Sequence, residues 1–210
     1  MLMNDQHEIV RLARPVDQSD HALGPQAAPA ILVEYGDYEC PNCRQLHPMI
    51  REMMSRTEGL RFVYRHFPLS KIHPFAARAA EAAEAAGAQG RFREMHDLLF
   101  ETNPPLDDKR LARCASQAGL DMERYTREMA EGAYAARVSE AFMAALYGDG
   151  VTGTPTLYLN NVRLSNIQSL DALLQAVTEA GATLQAGSSE RTNWLSRLRK
   201  LRVGITRLHL

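Results

Sequence analysis

Apolar positions along the chain fall into distinct runs, and their order predicts an architecture. "ILVEY", Ile31–Tyr35, is continuous, β-branched and aromatic, the pattern of a central strand covered on both faces. Gly36 and Asp37 end it. Leu46, Met49, Ile50, Met53 and Met54 then recur at helical spacing, predicting a helix that begins near Cys40 and is kinked at Pro48. "LRFVYRHF", Leu60–Phe67, alternates until Pro68 and predicts the next strand. Strand, helix, strand is the βαβ unit of a parallel pairing.

From about Lys71 to Gly148 the periodicity is helical throughout. "FAARAAEAAEAAGAQG" has very high helix propensity and ends in glycines, and its small residues predict a helix packed closely against neighbours. "RFREMHDLLFET", "KRLARCASQAGL", "DMERYTREMAEG" and "AYAARVSEAFMAALYG" complete the block. Beyond "DGVTGTP", the short strand "TLYLN" is predicted to pair with "NVRLS" across an Asn160–Asn161 turn. Ser169 is the expected cap of a last helix, "SLDALLQAVTEAG". Before Ile31, a short strand is expected at Glu8–Leu12, and "RPVDQSDHALGPQAAPA" reads as a surface connection. The order is βαβ, a helical insertion, then ββα.

Composition narrows the class. Hydrophobic residues make up 45% of the 210 positions, charged residues 23%, and the formal net charge is −1. These are the values of an ordinary globular protein, without the basic excess expected of a nucleic-acid binder. Apolar runs fall short of the roughly 18–20 residues a membrane helix needs, so no membrane span is expected. The N-terminus "MLMNDQHEIVRLARPVDQSD" has early acidic residues and no apolar h-region, and three cysteines do not form a secreted disulfide framework. Both features predict a reducing, cytoplasmic setting; a periplasmic one would follow from a different start.

The chemistry concentrates at "CPNC". A cysteine at a helix N-terminus faces free N–H groups and the positive end of the dipole, which favours its thiolate. Cys40 is therefore the candidate nucleophile and Cys43, one turn along, the resolving thiol. Zinc is the rival for such a pair, with His47 as a third ligand. Structural zinc usually takes four ligands, and no second CxxC, CxxH or HxxxH occurs. His47 is expected on an exposed or groove-facing side of its helix. Cys114 is expected to be a small buried hydrophobe, and Met49, Met53 and Met54 mainly core. His66 and His73 read as surface or structural. Glu34, in an otherwise apolar strand, needs a partner or a function, and a raised pKa is expected for it.

Four local features resemble the DsbA-like branch of the thioredoxin superfamily. The CPNC follows its strand, and Glu34 lies six positions before Cys40 on that strand. Thr154-Pro155 opens the strand after the helical block, and that block sits between βαβ and ββα. The match runs from about Ala28 to Gly181, and "EYGDYECPNC" and "GVTGTPTLYLN" look most like bacterial cytosolic or antiporter-fused members.

The resemblance implies an α/β, thioredoxin-like fold formed by residues 31–70 and 150–181, with an inserted helical domain at 71–149. Residues 1–30 would be an N-terminal extension and 182–210 a basic C-terminal one. It implies a thiol-disulfide oxidoreductase acting on protein or peptide substrates, with an unidentified recycling partner and no metal or organic cofactor. Cys40, Cys43 and Glu34 would be catalytic, Glu34 as proton relay to Cys43. Pro41, Asn42, Thr154 and Pro155, the last in a cis-proline loop, would meet the bound substrate strand. Asn42 departs from the Pro-His dipeptide of strongly oxidising members, and predicts a less oxidising poise. Two other readings stay open: a kappa-like glutathione-dependent transferase or isomerase, which has Ser at the nucleophile, and a zinc or docking module. In the last segment six Lys or Arg stand against one Glu, and Trp194, Leu195, Leu198 and Leu201 recur at helical spacing, predicting a short basic amphipathic helix.

Overall fold

The computed structural model describes residues 10–165, 167 and 169–185. In chain order these form β1 (His21–Leu23), β2 (Ala30–Gly36), α1 (Pro41–Arg56), β3 (Thr57–Glu58) and β4 (Leu60–His66). The helices α2 (Ala76–Gly87), α3 (Phe92–Glu101), α4 (Asp108–Gln117), α5 (Met122–Glu131) and α6 (Ala135–Tyr147) follow. The chain then returns through β5 (Thr156–Leu159), β6 (Val162–Leu164), α7 (Leu170–Glu179) and β7 (Thr183–Leu184).

The strands β1-β4-β2-β5-β6 make a five-stranded sheet, in which β2 and β4 run parallel and every other neighbouring pair runs antiparallel. This is the expected βαβ…ββα arrangement around a helical insertion. Alternation along β2 divides its side chains between two cores. Leu32, Phe62, Tyr64 and Leu157 pack toward α1, α7 and helices α2 to α5, whereas Val33, Tyr35, Val63 and Tyr158 pack with Val151 and with Ala145 of α6 on the other side. β4 does not alternate between buried and exposed residues as expected, because both of its faces are covered.

The alanine-rich α2 is buried on nearly all sides, and α3, α4, α5 and α6 all pack against it. Its small side chains permit that close approach. Asn160 and Asn161 take φ values of 46° and 68°, the left-handed conformation of a two-residue hairpin turn. Asn160 also accepts from the Ile31 N–H through its side chain at 2.8 Å, tying the hairpin to the start of β2.

Three expectations change. The segment read as a surface connection contains the edge strand β1, held by pairing with β4 and not by its own propensity. Buried charges secure the same segment: Arg65 bonds both carboxylate oxygens of Asp20 at 2.8 and 2.9 Å. The strand expected at Glu8–Leu12 lies partly outside the described residues, and within them Arg11 forms one isolated bridge to Val162. At the other end, β7 pairs with β3, so ordered pairing extends past residue 181. The predicted basic helix around Trp194 lies outside the described residues.

Candidate active site

β2 ends at Gly36, where the Tyr64 ring leaves no room for a side chain: a Cβ there would lie 2.5 Å from the ring. The next residues turn sharply into α1, whose N-cap is Cys40 and whose first helical residue is Pro41. Proline suits that place, since its missing N–H is one the helix leaves unbonded anyway. Cys40 is 5% exposed and Cys43 is fully buried, and both are free thiols. Pro48 sits inside α1, which remains one helix across it.

The loop opposite comes from the far end of the sequence. The Thr154–Pro155 peptide is cis, and the Thr154 carbonyl accepts from Cys40 Sγ at 3.4 Å. The Thr154 hydroxyl is buried without a hydrogen-bond partner among the described residues. Asn42 and Pro155 both line a cavity of about 600 Å³, whose apolar part includes Met49, Leu157 and Leu164. Tertiary structure thus brings the Thr154 carbonyl to Cys40 and places Asn42 and Pro155 on the wall of one cavity.

Electrostatics divide the two thiols. The Cys40 pKa is drawn down to about 5, first by the hydrogen bond from the Cys43 thiol. Partial burial opposes this, while the Thr154 side chain and the backbone N–H groups of Cys43 and Asn42 support it. Cys43 moves the other way: burial pushes its thiol far up, reinforced by its bond to Cys40 and by Glu34. Glu34 is 2% exposed, and one carboxyl oxygen has no partner among the described residues. Burial and then the nearby Cys40 charge raise its pKa to about 8.

Two carboxylates that the sequence reading passed over position this loop. Asp37 accepts from the Glu39 N–H at 2.8 Å and the Leu69 N–H at 2.8 Å, and lies 2.7 Å from His73 Nδ1. Glu39 accepts from the Phe75 N–H at the start of α2 and from the Leu106 N–H. Both are buried, so together they fasten the cysteine loop to the helical insertion. The available signal was local: acidic residues immediately before a CxxC in a segment too short to solvate them.

His47 is corrected. It is buried, its ring stacks on Phe100 with centroids 4.7 Å apart, and its Nε2 lies 3.4 Å from Asp97. It therefore faces α3 and not an exposed groove. Among the described residues, the groups of three ligand-bearing side chains that lie close together include neither Cys40 nor Cys43, so the geometry does not favour a zinc dithiol. His66 is buried in the interior, and Cys114 is the buried small residue expected, 3.3 Å from the Thr102 hydroxyl. Of the three methionines, Met53 is fully buried and Met49 lines the groove.

Comparison with known proteins places this geometry. A relative named Na(+)/H(+) antiporter NhaA 1, from Salinispora arenicola, is 42% identical over 175 residues, covering 83% of this chain. The chain spans only 27% of that relative's length. A thioredoxin-like oxidoreductase from Silicibacter pomeroyi superposes with a TM-score of 0.68 at 27% identity, over 78% of this chain and 93% of the other. BdbD from Bacillus subtilis, in its oxidised form, superposes with a TM-score of 0.71 at 21% identity, over 82% and 97%. A family model described as Thioredoxin matches residues 17–179, which take in the whole sheet and the insertion. The chain therefore belongs to the thioredoxin family, and its fold is that of the DsbA-like branch.

Proposed function

We propose that this chain is a thiol-disulfide oxidoreductase acting on protein or peptide substrates through Cys40 and Cys43. The observation that carries this reading is the asymmetry of the pair: a Cys40 thiolate favoured at the start of α1, beside a buried Cys43 thiol. The likeness to a structure named an oxidoreductase supports it. Sodium–proton exchange belongs to the longer relatives. Among the described residues no helix is long and apolar enough to cross a membrane.

In the reducing direction, the Cys40 thiolate attacks one sulfur of the substrate disulfide. A mixed disulfide forms and one substrate thiolate leaves. Cys43 then loses its proton and attacks Cys40 Sγ, releasing the second substrate sulfur and forming the Cys40–Cys43 disulfide. Two electrons have passed to the substrate, and the reverse sequence oxidises a substrate dithiol.

Glu34 suits the proton transfer that this requires. While Cys40 is a thiolate, its charge helps keep Glu34 protonated. Forming the mixed disulfide removes that charge, so Glu34 gives up its proton more readily and stands as a carboxylate able to accept one at the step where Cys43 must be deprotonated. Thr154 and Pro155, with Pro41 and Asn42 opposite, would position the substrate backbone.

The direction of electron flow follows from the poise. A Cys40 pKa of about 5 lies between the ~7 of thioredoxin and the ~3.5 of DsbA, which suggests an intermediate potential. In a reducing cytoplasm the pair would rest reduced and act as a reductase or isomerase; in an oxidising compartment it would act as an oxidase.

The test is thiol-dependent reduction of a protein disulfide such as insulin, run with single-cysteine variants. Cys40→Ser should abolish turnover, and Cys43→Ser should accumulate a mixed disulfide with substrate at Cys40. Turnover that survives Cys40→Ser would overturn the proposal. Glutathione conjugation that survives Cys43→Ser would favour the kappa-like alternative.

A further inference from the structure

Three side chains far apart in sequence meet on the opposite side of the cysteine loop from the groove's hairpin. His21 comes from β1, His66 from the end of β4 and Glu84 from α2. His21 Nε2 lies 3.0 Å from Glu84 Oε1, and His66 Nε2 lies 3.2 Å from the same oxygen. All three ligand atoms fall within 4.8 Å of one another. A tetrahedral ion about 2.0–2.1 Å from nitrogen and oxygen ligands holds those ligands roughly 3.3 Å apart. The two nitrogen–carboxylate separations are therefore close to those of a formed site.

A second observation points to a ligand. The His66 side chain is only 4% exposed, yet neither ring nitrogen has a hydrogen-bond partner among the described residues. Its approach to Glu84 is close in distance but misaligned for a hydrogen bond. A buried imidazole left this way has an unused lone pair, and an ion between it and Glu84 would use it.

The surroundings orient the other two groups. The His21 ring is stacked on Phe92, with centroids 3.6 Å apart and planes 5° from parallel. Glu84 Oε2 is held by Arg137 Nε at 2.8 Å, which leaves Oε1 as a single donor atom. A cavity of about 300 Å³ borders all three residues and also Arg14 and Arg65. It leaves room for a fourth ligand, and the arginines favour a water or an anionic group there over a second cation. Two imidazoles and one carboxylate suit zinc-type ions; calcium would want six to eight oxygens.

We propose that His21, His66 and Glu84 are the protein ligands of a zinc-type divalent cation whose fourth position opens onto this cavity. Such an ion would join the N-terminal segment, the central sheet and the helical insertion at one point. None of its ligands is a thiol, so the site stands apart from the proposed redox chemistry.

The test uses the full chain, stripped with a chelator and with Cys40–Cys43 oxidised so that the dithiol cannot compete for metal. Zinc chloride titrated calorimetrically should bind at one equivalent, and Co2+ in its place should give the visible bands of four-coordinate cobalt. His21→Ala should weaken zinc binding about 100-fold or more, and zinc should raise the melting temperature of the unmodified chain but not of this variant. Glu84→Gln, nearly isosteric, should also lose binding, and answers the question should His21→Ala fold poorly. The absence of a saturable equivalent would overturn the proposal. So would affinity that survives both variants, or affinity lost on His47→Ala instead, which would place the metal at the His47, His96 and Asp97 group.

Discussion

Cys40 Sγ and the Thr154 carbonyl oxygen are 3.4 Å apart across 114 residues of chain. This contact serves the thiol, because a carbonyl oxygen accepts from S–H and repels S⁻. On deprotonation, the sulfur must turn to donors: the Cys43 thiol, the Asn42 and Cys43 N–H groups and the Thr154 hydroxyl. That hydroxyl has no hydrogen-bond partner among the described residues, so it is free to turn to the thiolate. Thr154 thus offers an acceptor to one protonation state of Cys40 and a donor to the other.

Alkylation of Cys40 should accordingly follow a midpoint near pH 5, against the ordinary thiol value of 9.0. Thr154→Val removes one donor to the thiolate. The midpoint should rise by about one unit, since a hydrogen bond to a charged group contributes roughly 1.5 kcal/mol or more. Iodoacetamide rates measured against pH read both numbers, and an unchanged midpoint in the variant would show that the hydroxyl does not reach the sulfur.

Glu34 predicts a pH dependence of stability. Its folded pKa of about 8 lies above the ordinary 4.5, so the native chain keeps a proton that the unfolded chain has already lost. Its stabilising contribution is complete below pH 4.5 and is lost as pH rises toward 8. The loss is at most ~1.4 kcal/mol per pH unit. Glu34→Gln lacks this slope. Urea denaturation of both reduced proteins from pH 4 to 9 should show the variant gaining on the parent as pH rises, the opposite slope from Cys40 being present in both.

Asp37→Ala leaves the Glu39 and Leu69 N–H groups and His73 without their shared acceptor. A loss of about 3 kcal/mol or more in urea denaturation is expected for removing a buried charged acceptor. The same change should alter Cys40 alkylation rates, because the loop that presents the sulfur is freed. Full stability in the variant would remove Asp37 from its positioning role.

The Cys40–Cys43 couple should equilibrate with a glutathione buffer at a potential between about −270 and about −120 mV, the values of thioredoxin and DsbA. An Asn42→His variant should move it toward the oxidising end by adding a donor that carries charge when protonated. A potential below thioredoxin's would exclude an oxidase role.

The network around Arg65 gives a final check that is independent of redox chemistry. Arg65 bonds Asp20 and the Tyr35 hydroxyl, and Tyr35 in turn bonds Asp149. Arg65→Met leaves Asp149 without its cation and Asp20 with Arg14 alone, and should cost about 3 kcal/mol. Thermal or urea denaturation measures the loss.

Much of this protein follows from its sequence by local rules. The apolar β2, the proline at the start of α1, the Asn160–Asn161 turn and the alanine run of α2 each specify their own conformation with neighbours a few residues away. The dithiol was legible for the same reason: Cys40 and Cys43 are one helical turn apart. Glu34 was legible because a carboxylate in an apolar strand conflicts with its surroundings.

What needed the tertiary structure was every relation between distant segments. β1 has little strand character of its own and exists because β4 pairs with it. Asp37 and Glu39 look like ordinary polar loop residues until Leu69, Phe75 and Leu106 bring their N–H groups to them. His47 was misplaced because helical spacing gives a residue's face but not what packs there, and α3 covers that face. His21, His66 and Glu84 share no spacing at all, since strand pairing and helix packing alone carry them together. Local pattern thus determined the elements and the reacting sulfurs, while long-range packing decided which buried polar groups surround them.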